Sequence, residues 1–307
     1  MGMDENQKKH VTCVGGANID IQGFSGRVIN LRDSNPGAVR LCPGGVGRNI
    51  AENLAWFGAD VQMVSAVGED PFAEIILKSC SEAGIDVSNI ERIPGKRSSV
   101  YLVLTDSDGD MLAAISDMHI LKEMDAGFIL RHADAFEQAD AIVLDPNLSP
   151  ESLEALISGW SRKPLFADPI STTYAASLKK YLGALHMIKC NRQEAEIFAE
   201  MPIHNDSDLE RAADRILKTG TECAVITLGS DGVFYKDKSG LQLRKFHKPL
   251  DPVSATGAGD SFTAAMVYGW LNRMTPKTSL ELAMTAAEIT IMSEKTVTPE
   301  IRMLVSG

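Results

Sequence analysis

Short runs of apolar residues alternate with longer segments of helical periodicity along most of the chain. The apolar runs cover 11–16, 61–68, 141–145, 164–169, 187–191 and 223–229. Their continuous hydrophobicity is typical of strands in a parallel sheet that is covered on both faces. Helices are predicted at 47–57, 71–83, 150–160, 171–182, 193–199, 206–219, 260–272 and 278–293. This order predicts an α/β fold built from right-handed βαβ units.

Two segments break this pattern. Residues 20–42 are polar and rich in turn formers, and residues 95–118 alternate between apolar and polar positions around a predicted hairpin turn at 106–109. They predict a small antiparallel flap over one end of the sheet, and the alternative is a pair of edge strands. No low-complexity linker divides the chain, so we expect one domain over 11–307, with lid segments at about 20–42 and 95–118. Polar residues 1–10 are expected to form a disordered tail.

Composition narrows the function classes. The chain has 307 residues, 44% of them hydrophobic, and a formal net charge of −11 without a basic stripe, which argues against a nucleic-acid polymer or an anionic membrane surface as partner. Its five cysteines are dispersed and form no C-x-x-C pair, so we expect a reducing, cytoplasmic location rather than a disulfide scaffold or metal cluster. No run of 18 apolar residues predicts a transmembrane helix.

The segment ATGAGD at 255–260 places two glycines and a carboxylate where a polar loop meets a helical pattern. Backbone N–H groups at a helix start can bind an anion, and glycine lets the backbone approach it closely. Asp260 would then be a base directed at the group that attacks a phosphate. The alternative is a glycine-rich turn that only caps the helix.

Two glycine-containing segments near the N-terminus suit a sugar. Asn18 and Asp20 follow the first strand and are two residues apart, so in an extended chain they point to one side and offer groups for sugar hydroxyls. For this segment taken alone, an Asx turn that leaves the strand is the favoured explanation. Gly44, Gly45 and Asn49 precede or begin a helix, where substrate hydroxyls could meet the backbone; a tight helix entry is the alternative.

Two further segments follow later strands. Asn191 and Glu194 lie three apart at a helix start, where a carboxylate can hold water around Mg²⁺, although helix capping alone explains this pair better. The loop at 227–232 offers hydroxyls and backbone N–H groups to nucleotide phosphates, or it is the turn of a hairpin leading into 233–237. No dinucleotide-binding fingerprint follows the first strand, which argues against a dehydrogenase. The chain also has no P-loop motif.

Taken in order, GGANID, PGGVGRN, NRQE, TLGSDG and ATGAGD span most of the chain. With these elements in this order and spacing, residues 10 to 300 resemble the PfkB, or ribokinase-like, family of sugar and nucleoside kinases. The resemblance implies a mostly parallel central sheet with helices on both faces and a small β lid. It also implies a phosphotransferase that uses ATP and Mg²⁺.

The resemblance also implies roles for single residues. Asp260 would be the catalytic base for the 5′-hydroxyl of a sugar, and the backbone at Gly257, Ala258 and Gly259 would stabilise the transferring phosphoryl group. Asn191 and Glu194 match the element that organises Mg²⁺, through water. The matching sugar positions are Asn18 as a neighbour, Asp20, Gly44, Gly45 and Asn49. The matching nucleotide positions are Thr227, Gly229, Gly232 and Thr256.

Within the family, segments 33–37, 43–51, 99–102 and 114–118 resemble the pseudouridine kinases. This implies pseudouridine as substrate, with Asn35, Ser99, Tyr101 and Asp117 as candidates for contacting the base. Asp117 could accept a hydrogen bond from the free N1–H of pseudouridine, or it could be a surface turn residue; Tyr101 could equally be a packing residue. The alternatives are a kinase for ribose, uridine, adenosine or inosine and, in another class, a non-catalytic nucleoside-binding sensor.

One position departs from the family. Many relatives carry an aspartate that helps to bind K⁺ where this chain has Ser254, and a neutral hydroxyl is a weaker cation ligand. K⁺ dependence is therefore left open. Because the lids of relatives often pair between subunits, the resemblance also implies a possible homodimer.

Overall fold

The computed structural model describes residues 8–106, 111–245, 253–254 and 256–305. Its strands are β1 (His10–Val14), β2 (Asn18–Ser25), β3 (Gly37–Gly44), β4 (Asp60–Val67), β5 (Ile85–Asp86), β6 (Ile90–Arg92), β7 (Ser99–Thr105), β8 (Met111–Asp117), β9 (Ala141–Leu144), β10 (Leu165–Ala167), β11 (Met187–Asn191), β12 (Cys223–Thr227), β13 (Val233–Asp237) and β14 (Gln242–Lys245).

The α-helices are α1 (Val46–Trp56), α2 (Pro71–Glu82), α3 (Ala126–Arg131), α4 (Ala133–Gln138), α5 (Pro150–Trp160), α6 (Thr172–Leu178), α7 (Arg192–Ala199), α8 (Asp206–Lys218), α9 (Ala258–Leu271) and α10 (Pro276–Ile291). Short 3₁₀ turns lie at His119–Glu123, Lys179–Ala184, Gly229–Asp231 and Pro299–Leu304. Within the described ranges, no helix combines the length and apolar character that crossing a membrane requires.

A ten-stranded sheet forms the centre of the molecule, in the order β14-β13-β12-β11-β10-β9-β1-β4-β5, with β6 also beside β4. The strands from β12 to β5 are parallel, and among the described residues only β13 and β14 join antiparallel. Every apolar run that the sequence singled out is a strand of this parallel part. The carboxyl ends of these strands therefore meet at one edge, where ligands bind in open α/β sheets.

Helices cover both faces of this sheet, as predicted. Ile142 and Leu144 face a core built with α3 to α8, whereas Val143 between them faces a second core built with α1, α2, α9 and α10. Alternate residues of β9 are thus buried on opposite faces, which explains why the run is continuously apolar.

Several predicted helix limits shift in the structure. The segment 171–182 divides into α6 and a 3₁₀ turn. Helix α9 begins two residues before the predicted start at 260, so Ala258 and Gly259 belong to its first turn. Helices α3 and α4 and strands β5, β6 and β14 were not predicted, because each is too short for its periodicity to stand out.

The two lid segments form a second sheet of four strands, in the order β3-β2-β7-β8. The prediction of an antiparallel flap is wrong for its central pair, because β2 and β7 are parallel. Between β2 and β7 the chain contributes β4, β5 and β6 to the main sheet, and it then returns to the small sheet with β7 running in the same direction as β2. The alternating pattern within each strand could not reveal this path. Strands β7 and β8 pair antiparallel as expected of a hairpin, but residues 107–110 of its turn and residues 1–7 of the predicted tail lie outside the described residues.

Candidate active site at the carboxyl edge of the main sheet

The glycine turn before α9 has a conformation that its sequence requires. Gly257 is the N-cap residue with φ of 84°, a left-handed value that favours glycine. A Cβ atom there would lie 1.9 Å from the Thr296 carbonyl oxygen. No side chain among the described residues caps the helix, so the N–H groups of its first turn remain available to an anion.

We expect Gly257→Ala to lower the free energy of unfolding by about 3 kcal/mol, from backbone strain together with the clash at Thr296. Gly84→Ala is the matched control, since Gly84 has φ of 87° and a Cβ there would meet nothing within 4 Å. This control should cost only the strain, about 1–2 kcal/mol. Denaturant unfolding of both variants measures the difference, and equal losses would contradict the steric part of the argument.

Asp260 lies in the first turn of α9 and is 8% exposed. Its Oδ2 accepts a hydrogen bond of 2.7 Å from Nδ2 of Asn49 on α1. Burial raises the pKa of Asp260 to about 7, the Asp168 carboxylate adds to this increase, and the Asn49 bond and Lys189 oppose it. A carboxylate with a pKa near neutrality can both accept and release a proton under physiological conditions.

A buried ion pair beside Asp260 was missed by the sequence analysis. Nζ of Lys189 in β11 lies 2.8 Å from Oδ2 of Asp168, and the Thr263 hydroxyl donates to the same oxygen at 2.9 Å. Gly259 borders this pair, because a Cβ there would approach Lys189 Nζ to 2.7 Å. The available signal was a lysine inside the apolar run MIKCN, since an unpaired charge is rarely buried in a strand.

Asp145, directly after β9, was also missed. Its Oδ2 accepts hydrogen bonds from the backbone N–H groups of Gly16 at 2.9 Å and Gly47 at 3.2 Å, and its Oδ1 accepts from Asn147 at 2.8 Å. Burial raises the pKa of Asp145 to about 6 against the effect of these three donors. This carboxylate joins the two glycine-containing segments that were predicted to bind sugar.

The predicted sugar positions come together at the start of the second sheet. Asn18 Nδ2 donates to Asp20 Oδ1 at 2.6 Å, and a Cβ on Gly44 would lie 2.5 Å from the same carboxylate. Gly45, with φ of 98°, is the N-cap of α1 and leads to Asn49. Asp20, Gly44 and Asn49 thus form a path of neighbouring residues that leads to Asp260.

Two of the candidates for contacting a base lie beside this path. In the register of β2 and β7, Ser99 is opposite Asn18 and Tyr101 is opposite Asp20. Ser99 is 1% exposed, and its hydroxyl has no hydrogen-bond partner within the described ranges. The Tyr101 hydroxyl contacts the sulfur of Met111 at 3.9 Å.

The other two candidates are not brought to this path. Asp117 pairs with Val100, so its side chain is on the face of the sheet opposite Tyr101, where its carboxylate contacts His119 Nδ1 at 2.6 Å. Asn35 uses its amide within its own loop, with bonds to the backbone of Asn30 and Asp33. These contacts support the interpretation of Asp117 as a surface turn residue.

Asn191 and Glu194 form a complete capping box at the start of α7. Asn191 Oδ1 accepts from the Glu194 N–H at 2.9 Å, and Glu194 Oε2 accepts from the Asn191 N–H at 2.8 Å. The capping interpretation is therefore confirmed, but it uses only one of the carboxylate oxygens. No cluster of three or more acidic, His or Cys side chains suited to a metal occurs in the described part of the chain.

The predicted nucleotide positions follow β12. Thr227 is opposite Asn191 in the register of β11 and β12, and its hydroxyl donates to the Cys190 carbonyl at 3.3 Å. Gly229 and Gly232 lie in the turn that connects β12 to antiparallel β13, so the hairpin interpretation of this segment is confirmed. Thr256 is exposed at the entrance to the α9 turn, and Ala255 is outside the described residues.

Comparison with known proteins identifies the group to which this chain belongs. Residues 8–302 match the model of the pfkB family carbohydrate kinases. The chain is 34% identical to a pseudouridine kinase of Escherichia coli over 96% of this chain and 94% of the relative, and 28% identical to a guanosine-inosine kinase of Exiguobacterium acetylicum over 95% and 97%.

A solved carbohydrate kinase structure from Agrobacterium tumefaciens superposes with a TM-score of 0.82 at 26% identity, over 97% of each chain. This agreement confirms the ribokinase-like α/β fold with its second small sheet. The chain belongs to the pfkB family of carbohydrate kinases and is a phosphotransferase acting on a hydroxyl group.

Proposed function

We propose that this protein transfers the γ-phosphoryl group of ATP to the 5′-hydroxyl of pseudouridine, giving pseudouridine 5′-phosphate and ADP. The observation that carries the proposal is the buried Asp260 carboxylate, held by Asn49 beside the uncapped first turn of α9. The similarity to a pseudouridine kinase over nearly the whole chain supports the choice of nucleoside. An intact buried base argues against a sensor, because binding alone does not require one.

The proposed mechanism follows from the positions of these groups. Asp20, Gly44 and Asn49 bind the ribose and direct its 5′-hydroxyl toward Asp260, which accepts the proton as the oxygen attacks. The N–H groups of Ala258, Gly259 and Asp260 stabilise the charge on the transferring phosphoryl group. The nucleotide is bound by the residues at the ends of β11 and β12 and at the entrance to α9, namely Asn191, Thr227, Gly229, Gly232 and Thr256.

Mg²⁺ is part of the proposal, and the residues present fit it. Glu194 is buried, and the capping box leaves its Oε1 available to a water molecule of the ion. Mg²⁺ keeps several waters and is commonly held by one or two carboxylates with substrate phosphates, so a cage of protein ligands is not needed. When bound, the ion would neutralise charge on the phosphates.

K⁺ is not included among the proposed cofactors. The Ser254 hydroxyl accepts a hydrogen bond of 3.3 Å from the Thr256 N–H, and the Ser254 N–H donates to the Ile291 carbonyl at 3.0 Å. The Ser254 side chain therefore stabilises the local turn, at a position where many relatives have an aspartate that helps to bind K⁺. Assays with K⁺ and with a non-binding counterion decide this point.

A panel of nucleosides tests the substrate. With ATP and Mg²⁺, ADP release should be fastest with pseudouridine and slower with uridine, adenosine, inosine and ribose. Preference for inosine would instead place this chain with the guanosine-inosine kinase of Exiguobacterium acetylicum. Because a buried hydroxyl without a partner is costly, Ser99 is the best-supported contact for the base, and Ser99→Ala should change the ratio of pseudouridine to uridine turnover.

The pH dependence follows from the raised pKa of Asp260. A general base must be ionised to work, so kcat/KM should be level above pH 7 and should fall about tenfold per pH unit below it. Profiles measured between pH 5.5 and 9 test this prediction. A rate that does not change across this range would contradict the assignment of Asp260 as the base.

A homodimer formed through the second sheet is also proposed. One face of this sheet exposes four large apolar side chains to solvent, each between 41% and 67% exposed: Val39, Leu41, Leu104 and Ile115. An apolar patch of this kind is unusual on the surface of a monomer. A second copy would cover them. Sedimentation equilibrium should show a dimer that Val39→Lys with Ile115→Lys dissociates, whereas Leu130→Lys at an exposed leucine of α3 should not.

A cytoplasmic location completes the proposal. All five cysteines are free, and four of them are buried within the sheet or helices. This usage suits a reducing compartment.

A further inference from the structure

Arg48, in the first turn of α1, is 2% exposed and is among the largest fully buried side chains. Burying a guanidinium is costly unless its donors are matched by acceptors. Arg48 meets this condition with five contacts. Nε donates to the Gly44 carbonyl at 3.1 Å; Nη2 donates to the Pro43 carbonyl at 3.0 Å and to Asn49 Oδ1 at 2.7 Å; Nη1 donates to Glu52 Oε2 at 2.7 Å and to Ser79 Oγ at 3.3 Å.

The contact with Asn49 has a consequence for Asp260. A guanidinium has only donors, so the Asn49 atom that faces it must be the carbonyl oxygen. The amide nitrogen is then directed away, and it donates to Asp260 Oδ2 at 2.7 Å. Without Arg48 the amide could rotate and place its oxygen against the carboxylate, where it would repel the ionised form.

The remaining charged groups around Asp260 cannot replace this donor. Asp168 and Asp145 both disfavour the ionised carboxylate, and Lys189, which favours it, is already paired with Asp168. The Asn49 amide is therefore the direct donor on Asp260 whose orientation a neighbouring side chain controls.

We propose that Arg48 is a positioning residue for phosphoryl transfer, because it orients the Asn49 amide so that its N–H group donates to Asp260. The same guanidinium also holds the Pro43 and Gly44 carbonyls of the sugar-binding segment. The proposal rests on the proposed function for the role of Asp260, but the orientation itself is independent of the substrate. The Arg48 side chain thus links the backbone conformation of the sugar-binding segment to the ionisation of Asp260.

The principal test is Arg48→Lys, which keeps the charge beside Glu52 but lacks the planar fork. Losing the donor on Asp260 should raise the midpoint of the acid limb of kcat/KM by about one pH unit, and lower the rate about tenfold below pH 7. In an Asn49→Ala background, Arg48→Lys should cause no further shift of the limb, because its effect passes through Asn49. A shift that is equal in both backgrounds, or no shift in either, would overturn the proposal.

A second variant addresses folding. Arg48→Met with Glu52→Leu removes both partners of the buried pair, a change that is often tolerated where removing one partner is not. It should show the same shift as Arg48→Lys. Lys236→Met is the control, since Lys236 is another largely buried cation, paired with Asp214 and Glu210 on the far side of the sheet, and its loss should leave the limb in place.

A measurement that does not need turnover separates this proposal from the proposed function. The carboxyl ¹³C signal of Asp260, assigned by its loss in Asp260→Asn, should titrate about one pH unit higher in Arg48→Lys than in the wild type. If the nucleoside panel fails but this shift occurs, the orienting role of Arg48 stands. If pseudouridine is phosphorylated but the signal does not move, Arg48 has only a structural role.

Discussion

Asp260→Asn is expected to lower kcat about 10²–10⁴-fold, the range that a positioned general base contributes. The substitution keeps the size of the side chain and an oxygen that can accept from Asn49 Nδ2, so the arrangement around α9 should persist. What is lost is the ability to take the proton of the attacking hydroxyl. Nucleotide affinity should stay near that of the wild type, because the phosphate contacts assigned to α9 come from backbone N–H groups.

Steady-state kinetics and nucleotide titration by calorimetry measure the two parts of this prediction. Asp134→Asn is the matched control, since Asp134 is exposed on α4 and should give wild-type turnover. The residual rate of Asp260→Asn should also lack the acid limb near pH 7. Turnover close to that of the wild type would refute the role of Asp260.

Lys189→Met is expected to lower the free energy of unfolding by about 3–5 kcal/mol, the usual cost of removing one partner of a buried ion pair. Burial opposes the charge of Lys189, but the Asp168 carboxylate, together with the charges of Asp260 and Glu194, raises the pKa of Lys189. Removing the ammonium leaves Asp168 buried with only the Thr263 hydroxyl as a side-chain donor within the described part of the chain.

The control for this prediction removes the pair together. Lys189→Met with Asp168→Leu should recover much of the lost stability, because two apolar side chains replace two charges. Denaturant unfolding of the wild type and the three variants of this cycle, which include Asp168→Leu alone, measures the coupling. If the double variant is as unstable as the sum of the single ones, the pair does not act as a unit.

Much of the fold could be predicted from local patterns. The six apolar runs became the parallel strands, and the predicted helices were found with shifted limits, because burial on both faces of a sheet leaves a direct mark on the sequence. The direction of β2 beside β7 could not be predicted, since pairing between strands depends on the path of the chain.

Some residues of the candidate site could be singled out from the sequence for the same reason. Glycines and polar groups beside strands and helices are signals that each segment carries by itself, and they point to Asp20, Gly44, Asn49, Gly257 and Asp260 as candidates. Asp117 was predicted to contact the base, but its register opposite Val100 turns its side chain to the other face of the sheet. Asp145 and Asp168 were missed because an acidic residue just after a strand carries no local sign of its partner. Lys189 was missed although its position inside an apolar strand indicated a buried charge, because that pattern does not name the carboxylate that pairs with it.

The sequence by itself determined which segments become strands and helices, and where a left-handed backbone favours glycine, as at Gly257, because these depend on periodicity and backbone sterics within a few residues. Only the tertiary structure decided which polar groups meet. Asn49 and Asp260 are 211 positions apart, yet they share a hydrogen bond because α1 and α9 pack on the same face of the sheet. The pKa of the base, the pairing of Lys189 and the role of Arg48 all follow from such distant contacts, since burial and neighbouring charges are set by packing and not by the local chain.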